Sequence, residues 1–560
     1  MLFKLGRGYL RSKPAVLRGI NLYLGLFIRA GVLMSVLSPT VRAADLPVPC
    51  GGGACAAGGG PSVWVSAGNV QAPTVTGSTM HINQESEKAI LNWSSFNIGA
   101  GAGVDFKQPD ASAVALNRIF QGDPSKILGA LHANGQIYLI NQNGFLFGSG
   151  ATVNVHGLVA STLDVDTNLF KSSGIAQAIN QGTPSAAFKA NGKMGDINIA
   201  PGAVIKTDDG GQVMIFAPNI TNDGEIDTPK GQTILAASKD NVYLKINSPS
   251  DPGLRGFLVE VNDGGTVTNG GKISVGEGNA TLEGLTVNQD GMVSATTSVQ
   301  LNGSIRLLAR DQVDSTKLTL YSQGSSSPIT TNTGSVTFDK GSITQVQPET
   351  NDTSTTVDAQ TQLPSTVDVM AKTIDMKGGS KIVAPGGQVN LTAVASPEDV
   401  GKQAHIPSND SRILMEAQSL IDVSGTSSTV LPMSRNTVQL QLRGNELADS
   451  PLQRNGALYG QTVTVDVRKG TPLANVAGAI KGIQRTVSER LSARGTVSAS
   501  SEGDVVVAKG ATVNFSGGQV AYQGGYLNTS KLMAKNGTVV DIGNADPNQT
   551  YTAVLGTYRD

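Results

Sequence analysis

The sequence predicts an all-β chain: a right-handed parallel β-helix, or solenoid, with a few loop and helical excursions. Three observations carry that prediction. From about residue 62 onward the chain reads as short strands punctuated by turns, as in "GQIYLI", "GDINIA", "GQVMIFAP", "GQTILAA" and "GDVVVAKG", and helical periodicity is almost absent. A repeat is visible: Gly211-Gln212 opens "GQVMIFAPNITNDGEIDTPK" and Gly231-Gln232 opens the next copy, a step of about 20 residues that suits one coil of a solenoid. The composition is also unusual. Only 15% of residues are charged and 4% aromatic, while glycine contributes 68 of 560, against about 25% charged and about 7% glycine in an ordinary domain. Stacked coils explain all three. Inward positions need small aliphatic residues, and corners need Gly and Asn, which accept positive φ. Asn repeated at corners can also link side-chain amides from coil to coil. A β-sandwich array would instead show linkers between units of about 100 residues, and none is visible before about residue 310.

Taken in order, residues 1–43 read as an extended signal peptide. Lys4, Arg7, Arg11, Lys13, Arg18 and Arg29 precede the first acidic residue, Asp45, and the apolar run Ala30–Leu37 follows. Val41 and Ala43 place cleavage after Ala43. Arg29 interrupts the apolar stretch, so no run reaches the roughly 18 residues of a membrane span. Residues 44–61 form a Gly-rich segment containing the only cysteines, Cys50 and Cys55. With no histidine nearby and no second pair, a small local disulfide is expected rather than a metal site. Residues 62–310 form the first β-helical domain. Residues 311–560 form further coils with insertions: two Ser/Thr-rich stretches over 321–366, a polar insertion at 395–412, and an excursion at 473–494. In the last, Val476, Ile480, Ile483, Val487 and Leu491 fall on one helical face. The strand edges of a last coil without a cap would favour association, so the sequence is read as part of a longer protein.

Charge excludes one class of function. Lys plus Arg is 42 and Asp plus Glu is 43, a net charge of −1, so nothing favours nucleic acid. β-Helices also include polysaccharide lyases and hydrolases, which need converging carboxylates. The candidates are Asp208, Asp209, Asp223, Glu225, Asp227 and Asp263. Most sit in Asp-Gly or Asn-Asp-Gly turns and read as turn residues. His156 lies in an alternating strand with no nucleophile or ligand partner in sight. "GAGAG" at 99–103 precedes a strand, so it is not a phosphate loop. No catalytic residue, cofactor or metal is expected.

One stretch is strongly patterned and carries no reactive chemistry: "YLINQNGFLFGSGATVNVHGLVAST", residues 138–162. Together with "ILNWSSFNIGAGAGVDFKQP" (Trp93, Phe96, Asn97, Phe106), "ALNRI" (Leu116, Asn117, Arg118) and Ala133-Asn134-Gly135, it closely resembles the secretion domain of the filamentous haemagglutinin family, the exported partners of bacterial two-partner secretion. That family carries Asn-Pro-Asn-Gly where this chain has Asn141-Gln142-Asn143-Gly144. Gln142 accepts the φ that proline would pre-set but leaves the unfolded chain freer by about 0.4–1 kcal/mol. Asn143-Gly144 is the part expected to tolerate positive φ.

The resemblance implies that Asn117, Arg118, Asn134, Gly135, Asn141, Asn143 and Gly144 belong to a motif read for export. The reader would be an outer-membrane transporter with periplasmic peptide-binding domains, which could hold an extended segment by β-augmentation. The chain would pass through the periplasm, cross unfolded, and close its coils outside. The implied product is a secreted or surface-exposed adhesin, not an enzyme, whose ligand lies on a host or neighbouring cell. The alternative is the export and stalk region of a contact-dependent growth-inhibition toxin.

Overall fold

The computed structural model describes residues 45–556, apart from 54, 56–58, 173, 176–185, 248–253, 314–329, 332, 350 and 396–409. The signal segment, residues 396–409 of the 395–412 insertion and the first part of the 321–366 stretch therefore lie outside the described residues.

Short strands pair parallel with their counterparts one coil on, and this builds three faces. The first face runs through Thr79–Asn83, Gly103–Lys107, the first halves of Ala130–Ile140 and Thr152–Ser161, then Val204–Lys206, Glu225–Asp227 and Lys272–Gly276, and on to Thr512–Asn514. The second face begins at Lys88–Ser95 and Val114–Ile119. It continues through Gln212–Ala217, Asn279–Gly284 and Ser304–Ala309 to Thr496–Ser501. The third is a ten-stranded parallel sheet from Ser125–Ile127 to Asp504–Val507. Gln212 pairs in register with Gln232, so the 20-residue Gly-Gln repeat is one coil.

Alternation along each strand sends every second side chain inward. On the second face Ile137, Leu158 and Val213 stack in one column, and Leu139, Ala160, Ile215 and Leu235 in another, all essentially fully buried. Each buried aliphatic side chain contributes roughly 1.5–3 kcal/mol, and neighbouring coils share the benefit. Glycines allow the close stacking: a Cβ on Gly231 would fall 1.8 Å from the Gly211 carbonyl oxygen. The expected amide ladder is present. Asn222 Nδ2 donates to Asn269 Oδ1 at 2.7 Å, and Asn269 Nδ2 donates to Gln289 Oε1 at 2.8 Å, all three residues being buried.

The N-terminal end is closed by antiparallel strands. Val48–Pro49 and Val65–Ala67 pair with Lys88–Ser95, and Thr74–Thr76 pairs with Thr79–Asn83. Cys50 and Cys55 are joined in a disulfide, with Cα atoms 5.4 Å apart.

Three features depart from the sequence reading. The second face carries a second apolar core on its outer side. Leu116, Tyr138, Val159, Met214 and Ile234 point outward, yet they are buried beneath the helix Thr167–Ser172, the strand Phe188–Lys189 and a hairpin. That hairpin forms where the strand Gln232–Ile246 leaves the face and folds back as Phe257–Gly264. The described residues of 162–196 and 239–264 are thus excursions that the regular rhythm concealed. The signal was present: "IYLI", "VMIFA" and "TILAA" are continuous apolar runs, as expected of strands buried on both sides, not half-buried alternations.

Next, the stretch 473–494 is not one helix. Ala477–Lys481 and Val487–Arg490 are separate short helices, with Gln484–Arg485 between them pairing against Thr356–Val357. Their apolar residues serve different cores. Val476 and Ile483 pack on a side module, while Val487 and Leu491 pack against Val299. Thr486 starts the second helix with a reciprocal capping box to Glu489, and a T-x-x-E spacing announces such a start.

Finally, residues 311–560 are not coils throughout. The antiparallel hairpin Thr437–Gln441 with Thr462–Asp466, and the antiparallel strands Lys531–Ala534, Val539–Asp541 and Tyr551–Leu555, share a separate core of Leu440, Leu458, Val463, Leu532 and Tyr551.

Candidate functional site

The patterned stretch wraps the solenoid between the coil containing Ser125–Ile127 and the coil containing Ile197–Ile199. Asn141 is fully buried at the corner. Its Nδ2 donates to the Asp123 carbonyl at 3.1 Å and to Ser125 Oγ at 2.9 Å, in the coil before. Its Oδ1 accepts from the Asn143 backbone N–H at 2.9 Å, the local bond by which asparagine mimics a backbone turn. Asn143 Nδ2 donates to the Gln121 carbonyl at 2.8 Å.

Gly144 has φ +108°, and a Cβ there would lie 2.4 Å from the Asp196 carbonyl oxygen in the coil after. Glycine is required on both counts. Asn143 does not share the positive φ, so the left-handed step expected of the Asn143-Gly144 pair falls on Gly144 alone. The Gln142 carbonyl accepts from Gly195 N–H at 2.8 Å. The turn survives without proline because both adjoining coils hold it.

The other motif residues are equally committed to the fold. Asn117 occupies an inward column between Leu91 and Leu139 and is fully buried. Its Oδ1 accepts from Trp93 Nε1 at 2.9 Å, and its Nδ2 donates to the carbonyls of Ala115 and Tyr138 at 3.0 and 3.3 Å. A buried amide is tolerated there because it is paired. Trp93 in turn meets Trp64 and Phe96 edge-on, with ring centroids 5.7 and 5.3 Å apart.

Arg118 faces outward. It donates to Asp164 Oδ1 at 3.2 Å and to the Val165 carbonyl at 2.8 Å, which anchors the first excursion where it leaves the wall. Asp166, beside it, accepts from the N–H groups of Leu169 and Asn168. Those bonds, Leu169 first, hold its carboxyl below the usual range, with Lys189 and Arg118 adding to the effect. Asn134 is exposed, yet its side-chain Oδ1 accepts from the Gln108 backbone N–H at 2.7 Å and its Nδ2 donates to the Gln108 carbonyl at 2.9 Å. A Cβ on Gly135 would lie 2.6 Å from Gln108 Oε1 and 2.7 Å from the Ala113 carbonyl oxygen. The seven motif residues thus lie on neighbouring coils, and each of the five that carry an amide or guanidinium group has an intramolecular partner.

The acidic candidates do not converge on one point. Asp209 pairs with Lys230 at 2.8 Å, Glu225 with Lys272 at 3.2 Å, Asp227 with Lys206 at 3.9 Å and Asp263 with Lys239 at 3.9 Å. Asp208 lies in the turn before Gly210. Asp223 belongs to a column that the sequence did not reveal. Register places it one rung from Gly270, with Asp290 and Asp339 on the next two rungs. Burial and then the charges of Asp339 and Asp223 raise the Asp290 carboxyl. Among the described residues, no three His, Cys, Asp or Glu side chains stand ready to hold a metal ion. His156 sits at a bulge between Val155 and Gly157 and is half-buried. No described helix is long and apolar enough to cross a membrane.

Comparison with known proteins places these coils. The chain is 32% identical over 191 residues to a heme/hemopexin-binding protein of Haemophilus influenzae strain Rd, covering 34% of this chain and 20% of that protein. It is 46% identical over 99 residues to a second Haemophilus influenzae heme/hemopexin-binding protein, covering 18% and 11%. The similarity thus spans a small part of either relative's length. The fold also aligns with the crystal structure of the HMW1 secretion domain from Haemophilus influenzae, at 22% identity and TM-score 0.48, over 65% of this chain and 84% of that one. Residues 65–349, which hold the motif, both excursions and the amide ladder, match the TPS secretion domain, and the chain therefore belongs to the two-partner secretion family.

Proposed function

We propose that this chain is exported by two-partner secretion and acts outside the cell as a non-enzymatic adhesin of the haemagglutinin type. In this reading residues 1–43 direct the inner-membrane step. An outer-membrane transporter with periplasmic peptide-binding domains then takes the unfolded chain, and the product ends secreted or on the cell surface. The observation that carries the reading is the family match over residues 65–349.

The burial of the motif refines it. Asn117 and Asn141 are fully buried and fully bonded in the folded coils. A transporter that touches these two side chains must do so before the coils close. Stacked coils suit that order, because each contacts only its neighbours and can fold as it emerges. The pairing of surface carboxylates with lysines supports a non-enzymatic surface.

Expression with and without the partner transporter tests export. The protein should move from periplasm to medium or cell surface only when the transporter is present, and equal export without it would overturn the proposal. Asn141→Ala and Asn269→Ala then separate address from architecture. Both remove a buried bonded amide, but only Asn141 lies in the motif. A secretion defect confined to Asn141→Ala supports an export signal; equal defects would make the motif a folding device. The names of the two relatives favour a second reading, capture of hemopexin by the exported chain. Binding of hemopexin to the secreted protein would support it.

A further inference from the structure

On the outer side of the first face, three successive coils carry His81, Asp105 and His132 in one column. His81 is in register with Asp105, and Asp105 with His132. Their neighbours Ile82, Val104, Phe106 and Leu131 are buried, so strand alternation fixes all three side chains outward. His81 and Asp105 are 44% and 49% exposed, and His132 is exposed as well. His81 Nδ1 already lies 3.3 Å from Asp105 Oδ2.

We infer that His81, Asp105 and His132 form a surface site for one divalent transition-metal ion of the zinc and nickel class. Rungs are about 4.8 Å apart, so the two histidine Cα atoms stand roughly 9.6 Å apart with the aspartate midway. A ring nitrogen holds zinc at about 2 Å, which puts the ion roughly 6 Å from its histidine Cα. Two imidazoles leaning toward the middle rung therefore meet above the aspartate, within reach of its carboxylate. Two imidazoles and one carboxylate select borderline transition ions over calcium or magnesium, which prefer oxygen ligands throughout. The remaining coordination positions face solvent.

As the side chains stand, the three do not surround one point. Binding requires His132 to turn and His81 to exchange its bond to Asp105 for the ion. Both are rotamer changes of exposed side chains, which occur readily. Thr74 flanks His81 and Asn154 flanks His132 by register, and neither brings a charge. Lys107, two residues beyond Asp105 and exposed, is the positive neighbour that opposes a cation.

Titration of the full chain, disulfide intact, with Zn²⁺ and Ni²⁺ by calorimetry tests the site. One saturable ion per chain is expected, weakened at least tenfold by His81→Gln, His132→Gln or Asp105→Asn and strengthened by Lys107→Gln. Unchanged metal-free melting of the variants shows that the fold is intact. Absence of saturable Zn²⁺ and Ni²⁺ binding would overturn the inference, as would binding retained in the His81→Gln/His132→Gln double variant, which keeps His156 and His405. Equal affinity for Ca²⁺ would overturn the assigned class of ion.

Discussion

Asn141 shows how one side chain can join two coils. Asn141→Ala would leave the Ser125 hydroxyl and the Asn143 N–H without their present partner, and an unsatisfied buried group costs about 1–3 kcal/mol. Urea unfolding of the variant should show a loss of that size. Gln142→Pro should act in the opposite direction, adding about 0.4–1 kcal/mol by restricting the unfolded chain. Glu283 offers a pH-dependent test. It is fully buried, and its Oε1 accepts from Val261 N–H at 3.0 Å. Burial, and then the charge of Glu260, hold its carboxyl well above the ordinary value of 4.5, against the pull of Arg310. The folded state therefore holds the proton more tightly than the unfolded chain does. The stability this supplies is complete below about pH 4.5 and is lost as pH rises through the folded value. Glu283→Gln keeps an acceptor and removes the titration. It should be more stable than the native chain at pH 7, where the buried carboxyl of the native chain is driven toward losing its proton. The advantage should fade toward pH 4, measured as the difference between the two denaturant midpoints.

At the scale of elements, close stacking makes glycine the strictest requirement. Gly231→Ala would drive a Cβ into the Gly211 carbonyl. No side-chain movement relieves a clash with backbone, so a loss above about 3 kcal/mol is expected by thermal or urea unfolding. The capping box is a milder device. Thr486→Ala should cost about 0.5–2 kcal/mol and loosen the helix Val487–Arg490, while the separate core around Leu458 and Tyr551 should be unaffected. The same box explains why the 473–494 stretch misleads. Its i, i+3, i+4 spacing is real, but Gly482 and the Thr486 cap divide it, and each half answers to a different core.

Across the whole molecule, stability is distributed coil by coil. The strand Asp504–Val507 ends the third sheet, and Val505, Val506 and Val507 are exposed. The coils tied by Asn222, Asn269 and Gln289 are bonded on both sides. Native-state hydrogen exchange should therefore protect amides of 266–269 and 286–289 most, and release those of 504–507 first. Uniform exchange would show a single cooperative unit instead.

The strand-turn rhythm, the Gly-Gln period and the turn residues determined by themselves that this chain coils, because coil stacking depends on local patterns that repeat with neighbours. The collinear motif likewise revealed the family. Only the tertiary structure decided which outward faces are covered. Met214 and Ile234 lie beneath a hairpin that a 20-residue period does not encode, because cover depends on segments that leave the wall and return. It also decided that Asn117 and Asn141 point inward. An amide reads as a surface group in sequence, and only the Trp93 indole, the Ser125 hydroxyl and the neighbouring carbonyls make its burial favourable. The column of His81, Asp105 and His132 is of the same kind. Its members are 24 and 27 residues apart in sequence, and only coil register places them on adjacent rungs.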